Sequence, residues 1–335
     1  MIEQTRKKTH WPRNLGDVAY RIGLLRRVIL MCVYTVALGL VVGVAVHGGG
    51  LYFSSLIGLV LVIGVTVAVS ALHAVAFPSG TMDALALSIT AAIWIICLPF
   101  LTPYFDGRSP LPGLVLVVLG PVLTWLAVAW LLVQLVQALP RGKKTIRISR
   151  TVPVSAEALG EHLLDQPNRR TATRRTGPVD RHGFFPVWYG FAHPNEATGF
   201  EASDDRVVWD RSPDIYVKLL EEGPLFQVSH AFEAGKAGLN GGGARWSVVA
   251  RTQIEPITDS RCRLTSEERY HGWEASTSVM AWLNDYERDQ FREIVDAVNG
   301  VPSPAVRRLP QVTLMSVIAS KIAQIADAPS GGETF

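Results

Sequence analysis

Polar side chains interrupt three apolar, alternating segments in the second half of the chain. The segments are residues 225–233, 245–255 and 261–271. Alternation places the even-numbered side chains of each strand on one face, and these faces are mostly apolar. The polar exceptions are His230, Thr252, Glu268 and Tyr270. Imidazole and carboxyl groups are common proton donors and acceptors, so His230 and Glu268 are the candidates for acid–base catalysis.

The same even-numbered residues predict a hydrophobic ligand cavity covered by the helix that comes after the strands. The predicted lining is Phe226, Val228, His230, Phe232, Trp246, Val248, Thr252, Leu264, Glu268, Tyr270, Met280 and Leu283. The alternative is a solid core in which the polar members bond to one another or to backbone, because buried polar groups require hydrogen-bond partners.

The sequence offers no pattern for a metal or cofactor. Its three cysteines form no CxxC pair, and His182 and His193 flank an aromatic run at a spacing that matches no zinc site. Gly241–Gly243 lacks the strand–helix context of a phosphate-binding loop. A net charge of +3 is too small to indicate nucleic-acid binding. We therefore expect no metal, no cofactor and no nucleic-acid partner.

The elements that must position these residues succeed one another in a simple order. A strand at 146–152 precedes a short helix with Ser155 as N-cap. Strand-like segments come next, including 184–191, 206–210 and 215–220, with a glycine-rich loop at 236–243. A helix at 275–298 presents one apolar face. This order predicts an α+β domain over residues 145–299, in which a curved antiparallel sheet is covered by one long terminal helix.

Four apolar segments precede this domain, at about 28–46, 51–77, 84–101 and 113–139. At about 1.5 Å per residue, each is long enough for a hydrocarbon core of about 30 Å. They predict a four-helix transmembrane domain over residues 28–140. Asp83 suits the first turn of the third helix.

The second segment carries Thr66, Ser70 and His73 on one helical face. An ionisable residue within a membrane span is a candidate for function. The alternative is that His73, near the end of its helix, simply reaches the membrane interface.

Basic residues indicate the orientation of the spans. Seven lysines and arginines lie in residues 1–27, and Arg141, Lys143 and Lys144 come after the fourth span. The positive-inside rule places both flanks in the cytoplasm. We expect an integral membrane protein, of a bacterial inner membrane, with its N-terminus and soluble domain cytoplasmic. Residues 1–27 are either an interfacial helix or a disordered basic tail.

Two further segments suggest contacts. The predicted membrane-surface residues are Arg141, Lys143, Lys144, Arg169, Arg170, Arg174 and Arg175, which could attract an anionic leaflet or form an ordinary solvated face. The tail, 301–335, contains an amphipathic helix at 311–327 that is too short to span. It could lie on the membrane, pack on the soluble domain or bind a protein partner.

The soluble segment resembles a known superfamily. TIRISRTVPVSAEALGEHLLD is similar to the opening of START-like proteins, also called polyketide cyclase/dehydrase and lipid-transport (SRPBCC) proteins. ARWSVVARTQIEPITDSRCRLTSEERYH, with a helix after it, is similar to their closing segment. The resemblance implies a helix-grip fold that encloses a hydrophobic ligand between sheet and helix, in a binding, transfer or cyclase protein.

These patterns favour three functions. The first is a membrane-anchored cytoplasmic domain that binds or transfers a lipid or another hydrophobic small molecule, with the bilayer as a partner. The second is a cyclase-type enzyme that uses His230 and Glu268 on a hydrophobic substrate. The third is a ligand-free structural or regulatory subunit of a membrane complex.

Overall fold

The computed structural model describes residues 11–47, 55–105, 110–170, 174–189, 213–233, 246–306 and 312–326. Three segments singled out in the sequence lie wholly or largely outside these residues: the basic stretch 1–10, the strand at 206–210 and the loop at 236–243. The chain forms two compact units. We call them the membrane-helix unit (Thr9–Ala138, Trp282–Asp285 and Gln311–Phe335) and the sheet unit (chiefly Leu139–Ala281 and Tyr286–Pro310).

The membrane-helix unit contains the four predicted spans. Its helices are α1 (Leu15–Leu24), α2 (Arg26–His47), α3 (Leu56–Ala76), α4 (Thr81–Phe105), α5 (Pro110–Gln137) and α9 (Leu314–Ala326). Helices α2 to α5 are each long and apolar enough to cross a membrane, with mean hydropathy between 1.9 and 2.6 in their most apolar windows. The prediction of a four-helix membrane domain is confirmed.

Helix α1 packs within the unit through an arginine. Asn14 caps the helix by accepting a hydrogen bond from the Asp17 backbone N–H. The Arg21 side chain is only 3% exposed. Its Nη1 donates to the carbonyl of Val75, near the end of α3, at 2.6 Å. Arg21 therefore satisfies a helix-terminal carbonyl.

Helices α2 and α4 approach closely at a glycine. A Cβ placed on Gly39 would lie 2.7 Å from the Cα of Ala92. No real side chain tolerates that distance, so a small residue is required where the two helices meet.

The prediction of one long terminal helix is wrong in one respect, because this segment forms two helices. Helix α7 (Ala275–Leu283) ends before Asp285, whose φ of +46° is left-handed, and α8 (Tyr286–Val298) begins after it. Asparagine and aspartate tolerate this conformation better than most residues. Asp285 pairs with Arg26 at 2.7 Å, and Asn284 accepts a hydrogen bond from Thr81. These contacts lie within the membrane-helix unit and hold the non-helical turn.

The tail helix α9 begins against the same unit. Leu314 and Met315 pack with Trp125 and Ala129 of α5. The Met315 backbone N–H donates to Asp83 Oδ2, 3.2 Å away. Asp83 occupies the first turn of α4 as expected, and there it also accepts a hydrogen bond from the start of α9.

The sheet unit is built on seven antiparallel strands in the order β1-β7-β6-β5-β4-β3-β2. They are β1 (Arg141–Val152), β2 (Arg174–Thr176), β3 (Phe184–Tyr189), β4 (Ile215–Gly223), β5 (Phe226–Glu233), β6 (Ser247–Thr258) and β7 (Arg261–Glu274). Register shifts interrupt β1, β4 and β6. The basic run after the fourth span is thus the start of β1, and β2 lies in a polar, basic segment for which no strand was predicted.

Helices cover one face of this sheet. Ser155 caps α6 (Ala156–Leu163), as predicted, by accepting from the Ala158 N–H. A buried cluster joins α6 to strands β1, β6 and β7 and to α8; we call it the proximal cluster. Its fully buried members are Val152, Val154, Ala156, Leu159, Leu164, Ile254, Cys262 and Leu264, and Phe291, Ile294, Val295 and Val298 of α8 pack on it. The predicted α+β helix-grip arrangement is therefore confirmed.

Candidate functional site

The face of the sheet that α6 and α8 cover is here called the inner face. Leu264 of β7 and Ile254 of β6 belong to the proximal cluster, and they pair with each other across the two strands. Directly paired residues project to the same side. The even-numbered residues of β6 and β7 therefore lie on the inner face, as the sequence predicts. They include Thr252, Glu268 and Tyr270.

The prediction is wrong for β5. Gln227 pairs with Thr252, Ser229 with Ala250 and Ala231 with Val248, so the odd-numbered residues of β5 face inward. Four predicted lining residues consequently lie on the outer face: Phe226, Val228, His230 and Phe232. The predicted cavity cannot include them.

His230 instead belongs to an aromatic group on the outer face. Its ring centroid lies 6.2 Å from those of both Phe184 and Phe232, and Phe232 stacks on Tyr216 at 5.6 Å. Partial burial lowers the pKa of His230, and the positive charge of Lys218 acts in the same direction. A neutral imidazole in aromatic surroundings is a packing residue. Because His230 and Glu268 are on opposite faces, they cannot act on one substrate.

Glu268 is the ionisable centre of the inner face. It accepts a hydrogen bond from the Tyr270 hydroxyl at 2.6 Å, and both side chains are half-buried. Burial raises the pKa of Glu268, although the Tyr270 hydrogen bond opposes this and Glu287 of α8 reinforces it. Tyr270 in turn lies 4.0 Å from the Trp273 ring. A carboxyl with a raised pKa beside a phenol can hold or release a proton to a neighbouring polar group.

Two apolar clusters lie at the two ends of the inner face, and a more polar stretch separates them. The proximal cluster lies at one end. A second group, the distal cluster, lies at the other and contains Phe185, Val187, Val217, Ala231 and Val248, on which Trp246 and Tyr270 pack. Between them, β6 and β7 present small or polar side chains, and β1 places Ile146 and Ile148 beside them. The small or polar residues are Ala250, Thr252, Ser266 and Glu268, and each is only half-buried. We call these four residues the central strip.

Gln227 is an inner-face residue that the sequence analysis missed. Its amide is 6% exposed. It accepts from the Asp165 N–H at 2.9 Å and donates to the Asp165 carbonyl at 2.7 Å. The side chain thus satisfies the backbone where the chain leaves α6. A polar residue between Phe226 and Val228 suggested an outward direction, and no local signal indicated the partner 62 positions away.

Helix α7 is fastened to the sheet by polar contacts. Ser278 accepts hydrogen bonds from Trp273 Nε1 at 2.6 Å and from Lys144 Nζ at 2.7 Å. Met280, a predicted lining residue, is half-buried on the same helix. Leu283 is 2% exposed but belongs to the membrane-helix unit rather than to the sheet unit. Its predicted place in the cavity lining stays a prediction.

One cavity of the sheet unit lies beside α6. It has a volume of about 270 Å³ and is lined by Glu157, Gly160, Glu161, Leu164, Gln166, Arg169, Pro224 and Leu225. It receives no residue from α7 or α8 and no member of the predicted lining.

The predicted membrane-surface residues differ widely in exposure. Arg174 is only 11% exposed, pairs with Asp165 at 2.6 Å and donates to the Leu164 carbonyl. It is a structural cation and not a surface one, so that prediction is wrong. Lys144 is half-buried at Ser278, and Arg141 pairs with Glu274 at 2.7 Å. Lys143 and Arg170 are exposed, while Arg169 and Arg175 are half-buried.

The described part of the chain contains no group of three histidine, cysteine, aspartate or glutamate side chains that could hold a metal ion. Cys32, Cys97 and Cys262 are all free thiols. At the inner face, Glu268 and Tyr270 offer hydrogen bonding and proton exchange beside apolar side chains, and Lys144 and Arg150 of β1 lie on the same face.

Comparisons with known proteins give only distant similarities. No protein-family description and no curated protein matches the chain. Among solved structures, the Zhui aromatase/cyclase from Streptomyces sp. R1128 is 9% identical, with a TM-score of 0.29, covering 47% of this chain and 94% of that one.

Two further structures are similar over nearly the same share of the chain. Ara h 8.0201 is 12% identical, with a TM-score of 0.31, covering 48% of this chain and 97% of that one. A conserved protein from Geobacillus kaustophilus is 9% identical, with a TM-score of 0.30, covering 47% and 96%. At these TM-scores no argument rests on the likenesses. The architecture of a membrane protein with four apolar helices and an α+β helix-grip unit rests on the chain's own strand order and helix packing.

Proposed function

We propose that this protein is a membrane-anchored, START-like binding protein whose α+β domain takes up a hydrophobic small molecule at the inner face of its sheet. The domain lies on the cytoplasmic side of a bacterial inner membrane, and the bilayer is the source of the ligand. The observation that carries the proposal is the central strip, where half-buried small and polar residues separate two apolar clusters.

The driving force is burial of apolar surface, at about 25 cal/mol per Å². The distal cluster supplies apolar walls through Trp246 and Val248. Glu268 and Tyr270 supply the few convergent polar groups that orient a ligand in a largely apolar site. With its raised pKa, Glu268 favours a ligand with a neutral hydrogen-bonding head over an anionic one.

Binding accounts for this geometry better than the cyclase alternative. The two predicted acid–base residues are separated by the thickness of the sheet, so only Glu268 and Tyr270 remain beside a ligand. A ligand-free structural subunit is the remaining alternative, and the ligand content of the purified protein distinguishes it from a binding protein.

Ligand content of the purified full chain tests the proposal. Organic extraction and mass spectrometry should find an apolar molecule enriched with the wild type. Ala250→Phe fills the central strip and should reduce that molecule at least tenfold. The matched control is Val249→Phe, one residue along β6 and on the outer face, which should retain it. Equal content in both variants and the wild type, or no bound molecule in the wild type, would contradict the proposal.

A further inference from the structure

A second, partly open cavity of the membrane-helix unit lies between α2, α3 and α4. Its volume is about 170 Å³. The walls are mostly aliphatic, with Val36 of α2, Val69 of α3 and Leu87 of α4 among them. All lining residues belong to one compact unit. The central strip of the sheet contributes no residue to this cavity, so a ligand bound here is independent of the proposed function.

His73 brings an unsatisfied polar atom to this cavity. Its side chain lines the cavity and is only 8% exposed. The Nε2 atom is buried and has no hydrogen-bond partner among the described residues. A buried polar atom of this kind is unfavourable unless a partner reaches it, most of all where surrounding lipid offers none.

Hydroxyl groups lie on the same walls. Thr66 donates to the Val62 carbonyl at 2.7 Å, and Ser88 donates to the Leu85 carbonyl at 2.8 Å. Their hydrogens are used within their own helices, so their oxygens remain available as acceptors. The lining residues include no lysine, arginine, aspartate or glutamate. The cavity therefore favours an uncharged molecule with a single hydrogen-bonding group.

His47 in the same unit shows the contrasting arrangement. Its Nε2 lies 2.8 Å from the Ile96 carbonyl oxygen, and its ring packs edge-on against Phe100 at 4.4 Å. His47 has its partner within the protein and lines no part of the cavity. Unlike His47, His73 leaves room at its Nε2 for a partner from outside the described residues.

We propose that this cavity binds a small uncharged amphiphile of the phenol or short-alcohol class, with its hydroxyl on His73 Nε2 and its apolar body among the aliphatic walls. The volume suits such a molecule, because an apolar protein cavity of about 150 Å³ holds benzene. A hydroxyl can donate to Nε2 in one imidazole tautomer and accept from it in the other, so the head group satisfies the nitrogen in either state.

The test uses the full chain in lipid bilayers, with ¹⁵N-labelled histidine and 2-fluorophenol as the probe. Solid-state NMR measures how strongly the probe's fluorine dephases each histidine ¹⁵N signal. The ¹⁵N signal that is missing from the spectrum of His73→Phe is assigned to His73. The His73 nitrogen should be dephased and that of His47 should not. Equal dephasing of the two histidines would overturn the proposal. Dephasing of neither histidine would also overturn it and would mean that water occupies the cavity.

Two probes and three variants sharpen the result. Fluorobenzene has nearly the same size but lacks the hydroxyl. His73→Phe keeps an aromatic ring but removes the nitrogen. It should weaken the binding of 2-fluorophenol at least tenfold and weaken that of fluorobenzene far less. Ala91→Phe fills the cavity and should abolish binding of both probes. Ile93→Phe, half-exposed on the same helix and outside the lining, should change neither. Equal 2-fluorophenol binding by wild type and His73→Phe would refute the assignment.

Discussion

Two adjacent glutamates of β7 lie in opposite environments. Glu267 is on the outer face, where it contacts Arg147 at 3.1 Å and Arg269 at 2.6 Å. Hydrogen bonding from Arg269 lowers the pKa of Glu267, and the charge of Arg147 acts with it. Glu268 is on the inner face beside Tyr270, and burial raises its pKa. One step along a strand thus reverses the direction of the shift.

A similar contrast holds along β5, β6 and β7, whereas β1 also places Lys144 and Arg150 on the inner face. The outer face carries charged residues and one aromatic group, and the arginines of its ion pairs are well exposed. The inner face carries the two apolar clusters and the central strip. A side chain's chemistry here is therefore decided by which face it occupies, and the face is decided by strand register. Matched substitutions on the two faces test that division.

The largest expected effect is in the proximal cluster. Leu264 on the inner face of β7 is 3% exposed, whereas Leu220 at the bulge of β4 is 51% exposed. Leu264→Ala removes buried methyl groups and leaves a cavity, so it should destabilise the sheet unit by about 2–5 kcal/mol. Leu220→Ala should cost less than about 0.5 kcal/mol. Hydrogen exchange of the strand peptides measures both, and similar effects would mean that the inner face is not the core.

Gln227 tests the register of β5. Gln227→Leu keeps the volume but leaves the Asp165 backbone N–H and carbonyl without their partner. Each unsatisfied buried group costs about 1–3 kcal/mol, so the loss should be at least that large. Val228→Ala, the next residue and on the outer face, is the control. A greater loss from Val228→Ala would place the even-numbered side chains of β5 inward after all.

The two glutamates should give opposite pH dependences. The pKa of Glu268 in the folded state is raised above its ordinary value of 4.5. Just above pH 4.5, the folded protein therefore keeps a proton on Glu268 that the unfolded chain has lost. Stability therefore falls as pH rises from about 4.5 through the raised folded value. Glu268→Gln should remove this decline. Glu267 has a lowered pKa, so its contribution is present above 4.5 and is lost as pH falls through the folded value.

Hydrogen exchange at a series of pH values, corrected for the intrinsic exchange rate, measures both slopes. Glu267→Gln should reduce the loss of stability in acid without changing the decline above pH 4.5. The same sign of change in both variants would show that the two carboxyls share one environment.

The smallest expected effect is in the outer ion pairs. The Arg147 side chain is 73% exposed, and Glu267 keeps Arg269 as a partner when Arg147 is lost. Arg147→Gln should therefore cost no more than about 1 kcal/mol, and the cost should diminish with added salt. A larger, salt-independent loss would show that the outer face is covered and not solvated.

Sequence patterns predicted the elements well because their causes are local. Four apolar runs predicted α2 to α5, since a bilayer requires length and hydrophobicity over consecutive residues. Ser155 predicted the start of α6, because capping needs only the next few backbone N–H groups. The inward direction of Thr252, Glu268 and Tyr270 was also predicted, because alternation within β6 and β7 is a local property.

The incorrect predictions each depended on a distant partner. His230 was assigned to the wrong face because the pairing of β5 with β6 joins odd to even residues, and nothing within either strand reveals that. The helix at 275–298 is broken at Asn284 and Asp285, whose partners Thr81 and Arg26 lie 203 and 259 residues away. Arg174 was expected on a membrane surface, but it is buried against Asp165.

The sequence by itself determined which segments are helices and strands, which of them are apolar enough for lipid, and which side chains alternate along a strand. Periodicity and capping act over a few neighbouring residues, so these features can be predicted from the sequence. Only the tertiary structure decided which faces meet. It paired Glu268 with Tyr270 on the inner face and left His73 Nε2 without a partner in its cavity, because register and helix packing join residues that are far apart in the chain.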